Sequence, residues 1–179
     1  MTLCYLGLGS NLRYPARQLR QALLQLRKLP RTVVTHQSKF YFSKASGVQM
    51  QPRYCNMVIA IHTTLSPQQL LHHCQQIETN HQRSRKKHWA ARTLDIDLLL
   101  FGERIINHPN LTVPHPEMTK RDFVLVPLLE IFPTAHLPSG KPLATYLNHC
   151  DTYLSLPLPT NTAGQRAANI DELLRKKNA

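Results

Sequence analysis

The period of apolar positions changes several times along the chain, and each change marks an element. Leu3-Cys4-Tyr5-Leu6-Gly7-Leu8 is a near-continuous apolar run closed by the turn cluster Gly9-Ser10-Asn11, which predicts a buried strand. From Pro15 to about Leu29, apolar Leu19, Ala22, Leu23 and Leu26 recur at the spacing of one helix face. Thr32 to Phe42 is rich in β-formers, and Ser43 to Arg53 is a polar loop. Tyr54 to Thr64 reads as a second long strand. Ser66-Pro67 then opens a helix, serine as N-cap and proline in the first turn, with a core stripe of Leu70, Leu71, Cys74 and Ile77 that fades near Asn80. A basic stretch runs from Arg83 to Arg92. Thr93 to Phe101 follows as a central strand bounded by Gly102. Ile105 to Pro116 is loop or edge strand, and Arg121 to Ile131 is expected to be helical despite Pro127.

This order, roughly βαββαβ with further elements behind it, predicts an α+β fold: a ferredoxin-like core forming an α/β/α sandwich. The expected division is one domain over residues 1–150 and a C-terminal extension over 151–179. Pro157, Pro159 and Gly164 break the extension up, and its acid-first, base-last end predicts a short helix at 169–177.

Composition adds less than pattern. The 179 residues are 42% hydrophobic and 18% charged, ordinary values for one globular domain. No apolar run is long enough to cross a bilayer, and the N-terminus lacks a basic leader, so a cytoplasmic protein without a membrane partner is expected. Cys4, Cys55, Cys74 and Cys150 form no close pair, which argues against zinc; the first three fall in apolar patterns and are expected to be buried. The charge does change the picture. Lys and Arg number 22 against 10 Asp and Glu, a net charge of +12, which points to a polyanionic partner: nucleic acid, an acidic membrane or a phosphate-rich small ligand.

Candidate chemistry centres on Asp95 and Asp97. Two apart on a strand, both carboxylates project from one face, while Leu94, Ile96, Leu98 and Leu100 are expected on the other. Such a pair either holds a hard cation such as Mg²⁺ or pairs with lysines on an open strand face. Arg92 and the basic stretch with Arg83, Arg85, Lys86, Lys87 and His88 suit phosphate oxygens, although charge runs are usually just solvated. Trp89, the single tryptophan, is out of place in a solvated run and fits a cover over adenine or a closed site. Tyr54 and Asn56, on one strand face, suit a flat heterocycle, ring to stack and amide to read its edge; Phe123 supplies a second ring if the fold brings it near. Gly7-Leu8-Gly9-Ser10-Asn11 carries neither a Rossmann nor a Walker signature, and its glycines are read as allowing close backbone approach beside a site. His115, one of ten histidines, is by itself more readily structural than catalytic.

Taken together these residues resemble the 6-hydroxymethyl-7,8-dihydropterin pyrophosphokinase family of folate biosynthesis. The resemblance runs from the Leu6-Gly7-Leu8-Gly9-Ser10-Asn11 start to about Leu147 and is most specific from Trp89 to Leu99. Tyr54-Cys55-Asn56, Gln75-Gln76-Ile77-Glu78, Leu111 to His115, Arg121-Asp122-Phe123 and Pro127 to Ile131 continue it. The resemblance implies transfer of pyrophosphate from ATP to the pterin hydroxymethyl group. It implies that Asp95 and Asp97 bind two Mg²⁺ ions with ATP, and that Arg83 and Arg92 stabilise the transferring group. Arg85, His115 and Arg121 would also meet the phosphates. Gln75, Glu78, Trp89, Leu98 and Thr112 would line the nucleotide site. Ser43, Tyr54, Asn56 and Phe123 would bind the pterin. A monomer is expected.

Several positions depart from the family pattern. Ser43 to Val48 lacks the prolines usual beside the pterin, Asn110 and Pro116 stand where an arginine and an aromatic residue are common, and Ala90-Ala91 replaces a frequent Gly-Pro. Nucleic acid is not the expected partner, because no RNP1-like aromatic strand is present and the basic stretch adjoins the aspartate pair.

Overall fold

A computed structural model describes residues 1–45, 51–81 and 92–155. The expected helix at 169–177 and the basic stretch up to residue 91 lie outside the described residues.

The chain runs β1 (Thr2–Ser10), α1 (Pro15–Leu26), β2 (Thr32–Gln37), β3 (Tyr41–Ser43), β4 (Tyr54–Thr63), α2 (Pro67–Asn80), β5 (Asp95–Phe101), β6 (Ile106–His108), β7 (Leu111–Val113) and α3 (Asp122–Ile131). The main sheet has the order β2-β4-β1-β5, with β3 also paired to β4, and the neighbours are antiparallel. A separate hairpin of β6 and β7 occupies the segment read as loop or edge strand.

Alternation along β1 divides the core. Cys4, Leu6 and Leu8 pack with Leu19, Ala22, Leu23 and Leu26 of α1 and Leu70, Cys74 and Ile77 of α2. Tyr5 turns the other way, into a cluster with Val124, Leu125, Val126, Leu128 and Leu129 of α3. Helices therefore cover both faces of an antiparallel sheet. Cys4, Cys55 and Cys74 are buried as expected, and burial pushes their thiols up to about 12, which leaves them inert.

α1 ends at Leu26, short of the expected Leu29. Leu29 precedes Pro30, which disfavours helical backbone before it, and the chain closes instead by Lys28 N–H on the Gln25 carbonyl (3.0 Å). α3 tolerates Pro127 because burial of Val124 to Leu129 outweighs one missing hydrogen bond.

One expectation fails. Leu100 does not share a face with Ile96 and Leu98; it joins Leu99 in the α3-side cluster, and Phe101 takes the α1/α2 side. The cause is a register shift: Tyr5 pairs with Leu100 but Leu6 pairs with Leu98, so Leu99 is an extra residue in β5. Such a bulge reverses the phase of the strand beyond it.

At the start of α2 the Gln69 backbone N–H donates to Ser66 Oγ (3.2 Å) and the Ser66 N–H donates to Gln69 Oε1 (2.9 Å), a closed capping box. Ser66→Ala is expected to lower the unfolding free energy by about 1 kcal/mol in urea titration, and Ser66→Gly by only about 0.3 kcal/mol.

Candidate active site

Strand register places the site. Gly9 of β1 pairs with Asn56 on one side and Asp95 on the other; two residues back, Gly7 pairs with Val58 and Asp97. Two rows thus cross the sheet with no side chain at their centre. A Cβ on Gly9 would stand 3.3 Å from Asn56 Oδ1, and one on Gly7 would stand 3.5 Å from Leu99. These rows floor a pocket of about 120 Å³ whose lining takes in Ser43, Lys44, Gln51 and Tyr54, the charged Arg92, Asp95, Asp97 and Arg121, and the Phe123 ring.

The acidic wall is electrostatically costly as it stands. Asp97 keeps 38% of its side-chain surface exposed, yet its carboxyl is pushed up to about 7, first by burial and next by the Asp95 charge beside it; Arg121 and Arg92 pull it back only in part. Arg92 Nη1 donates to Asp95 Oδ2. Burial pulls the Arg92 guanidinium down, but Asp95, with smaller help from Tyr54 and Asp97, more than offsets this and holds it above its ordinary value. The Asp97 carboxylate needs positive charge, and Arg121 and Arg92 offset its burial and the Asp95 charge only in part.

Asn11 fixes Arg92. Its N–H donates to the Arg92 carbonyl (3.0 Å) and its side-chain Oδ1 accepts from the Arg92 N–H (2.7 Å), while Nδ2 reaches Gln51 Oε1 and the Pro52 carbonyl (3.3 Å each). Glu78, buried at 2%, accepts the Ile96 N–H at 2.8 Å, so a carboxylate behind β5 holds the backbone between the aspartates. His115 is anchored by its N–H on the Leu99 carbonyl (3.0 Å). Its Nδ1 accepts the Glu117 N–H (3.2 Å), which leaves the proton on Nε2, 4.0 Å from Asp97 Oδ1. Burial, then Arg121, push the imidazole below its ordinary value, so it is neutral at pH 7.

On the opposite wall Asn56 donates to Ser43 Oγ (2.9 Å) and the Tyr41 carbonyl (3.3 Å), which orients its amide. Phe123 meets Arg121 across 5.8 Å and Tyr153 edge-on at 5.5 Å. Tyr153 is held by Asp122, whose Oδ2 accepts the N–H groups of Tyr153 (2.9 Å) and Leu154 (3.0 Å), and Leu154 bridges to Ser43.

Of the expected residues, Ser43, Tyr54, Asn56, Arg92, Asp95, Asp97, Arg121 and Phe123 line one pocket. Leu98 is buried in the α1/α2-side core, Gln75 opens on a separate surface of α2, and Thr112 is exposed on β7. Arg83, Arg85 and Trp89 lie outside the described residues. Lys44 and Gln51 also line the pocket, Asn11 braces Gln51 and Arg92, and Tyr153 packs on Phe123; of these only Asn11, in the turn cluster after β1, carries a local signal in the sequence.

The chain matches the family described as 7,8-dihydro-6-hydroxymethylpterin-pyrophosphokinase (HPPK) over residues 5–133. A 2-amino-4-hydroxy-6-hydroxymethyldihydropteridine pyrophosphokinase of Haemophilus influenzae is 45% identical over 141 residues, covering 79% of this chain and 88% of the relative. The enzyme of the same name from Pseudomonas aeruginosa is 43% identical over 146 residues, covering 82% and 90%. Among solved structures, the Plasmodium falciparum HPPK-DHPS superimposes with a TM-score of 0.62 at 14% identity, over 82% of this chain and 43% of that one, a likeness of fold. With a family match across most of its length and close relatives covered nearly end to end, this chain belongs to the 7,8-dihydro-6-hydroxymethylpterin-pyrophosphokinase family.

Proposed function

We propose that this chain transfers the pyrophosphoryl group of ATP to the hydroxymethyl oxygen of 6-hydroxymethyl-7,8-dihydropterin, giving AMP and the pterin diphosphate. The observation that carries this reading is one pocket with an aromatic and amide wall facing a wall of paired carboxylates and guanidinium groups. The strand order β2-β4-β1-β5 with helices on both faces also fits the ferredoxin-like core expected from the sequence.

The donor set fits divalent cations. Asp95 and Asp97 offer hard oxygens side by side, and burial beside a like charge makes Asp97 a poor acid until a cation arrives. Among the described residues no third His, Cys, Asp or Glu completes a protein-only cage, which leaves coordination positions for water and phosphate oxygens. Two Mg²⁺ ions held here with ATP would neutralise phosphate charge and make phosphorus more electrophilic. The chain does the rest by placement. Tyr54 and Phe123 stack the pterin and Asn56, oriented by Ser43, binds its edge. Arg92, fixed by Asn11, and Arg121 face the phosphates, with neutral His115 donating from Nε2. The hydroxymethyl oxygen forms a bond to the β-phosphorus and releases its proton as the bridge to the α-phosphate breaks, and AMP departs with the bridging oxygen. Arg83 acts with Arg92 on the transferring group, Arg85 on the phosphates, and Gln75, Glu78, Trp89, Leu98 and Thr112 on the nucleotide side, as the family resemblance implies.

The direct test is AMP release from ATP. AMP is expected only when Mg²⁺ and the reduced pterin are both present, with pyrophosphorylated pterin as co-product; AMP formation without the pterin would overturn the acceptor.

Asp97 gives a stability signature. An unfolded aspartate releases its proton near 3.8, whereas folded Asp97 holds its proton to about 7. Between these values the folded state binds more protons, so this group's effect on stability worsens as pH rises from 3.8 to about 7 and then levels off. Asp97→Asn is expected to raise the thermal midpoint of the metal-free protein at pH 8 and to change it little at pH 4. It is also expected to abolish the rise on adding Mg²⁺ and to cut turnover on the order of a thousandfold.

Gly9→Val tests the bare floor. The side chain is expected to raise the pterin KM by roughly tenfold to a hundredfold, with the far-ultraviolet circular dichroism unchanged.

A further inference from the structure

A second cluster of chemistry lies away from the pocket. The first 77 residues contain no Asp or Glu but nine Lys and Arg. Arg17 and Arg20 on the outer side of α1 are exposed, as are Arg27 and Lys28 just past its end. Among the described residues neither Arg17 nor Arg20 has a carboxylate within ion-pair distance. These guanidinium groups flank a shallow cleft between two exposed rings, Tyr14 at 79% and Phe42 at 49%. On β3, Phe42 alternates with Tyr41 and Ser43, which are buried, so it points away from the face on which Ser43 meets the main pocket.

Stability does not account for the placement of Tyr14. It stands at the N-cap of α1, where a short polar side chain is preferred, and makes no side-chain cap bond. Arg13 (φ 50°) and Tyr14 (φ 62°) are successive non-glycine residues in the left-handed region, a conformation that costs free energy at each. The strained pair turns the tyrosine ring into solvent beside Arg17. Arg20 lies 5.2 Å over the Phe40 ring, which orients its fork.

We propose that this cleft binds single-stranded nucleic acid, with bases stacking on Tyr14 and Phe42 and phosphates meeting Arg17 and Arg20. Flat rings at the sides of a cleft suit bases, which have two π-faces, and arginine forks suit phosphate oxygens. A bilayer would instead select an apolar ridge. The basic stretch beside the aspartates is explained by phosphates without nucleic acid; the α1 surface is a separate group that shares no residue with the lining of the main pocket.

The test is fluorescence anisotropy of a labelled oligouridylate of about 12 nucleotides, titrated with the full chain across roughly 50 to 200 mM salt. Wild type is expected to bind at low salt. Arg17→Glu with Arg20→Glu is expected to weaken binding more than tenfold and to flatten the slope of log Kd against log salt by about 1.4. Tyr14→Ala with Phe42→Ala is expected to weaken it roughly tenfold with the slope unchanged. Both variants should keep the wild-type thermal midpoint. Absence of binding at low salt would overturn the proposal. So would an equal loss from charge reversal at Arg104 and Lys141, which would indicate diffuse attraction. Capture by phosphatidylserine vesicles through the same residues, without RNA binding, would assign the surface to a membrane instead.

Discussion

The pocket depends on how β1 is threaded between β4 and β5. Antiparallel pairing on both sides brings Asn56, Gly9 and Asp95 into one line and Val58, Gly7 and Asp97 into the next. With the central strand bare, the side strands become opposite walls, and a heterocycle can lie flat over backbone. A slip of one residue on either side would turn Asn56 or the aspartates into the α1/α2 core, where neither could be hydrated or paired. Burial of Leu6, Leu8, Ile59 and Ile96 on that side fixes the register against such a slip. Packing on one face of the sheet thus sets the chemistry on the other.

The same threading concentrates like charge. Asp95 and Asp97 are neighbours on a half-buried strand face, and the penalty is visible as a carboxyl that does not ionise readily. The fold tolerates this because surrounding contacts hold the strand in place: Glu78 grips the Ile96 amide from behind, and Asn11 grips Arg92 in front. A site prepared for a cation and a polyphosphate is frustrated without them, and neighbouring elements carry the strain.

Much of this was legible in the residues. Ser66-Pro67 announced α2 because capping is local chemistry, and Asp95 with Asp97 announced a shared face because strand alternation is local geometry. Leu100 was misplaced because the bulge at Leu99 arises from pairing with β1, and nothing within Thr93 to Phe101 signals it. The Asn11–Arg92 contact joins positions 81 residues apart and only the folded chain reveals it. Glu78 stands out in the sequence only through the family resemblance, and its bond to the Ile96 amide was not legible, since a helix carboxylate reads the same whether it faces solvent or a strand. Asn56 and Phe123 were legible as types; their meeting across one cavity required the sheet order.

The loop following residue 150 has a consequence for how this wall can evolve. Asp122 ties the backbone of Tyr153 and Leu154, Leu154 bridges to Ser43, and Tyr153 stands edge-on to Phe123. Three segments remote in sequence therefore share one set of contacts, and a change in any of them is felt by the other two. Effects of paired substitutions at Ser43, Phe123 and Tyr153 will depart from the sum of the single effects. Acceptable replacements at one position then hinge on the occupant of another, so this wall is expected to drift as a linked block, through compensated combinations, while the aspartate strand opposite holds still.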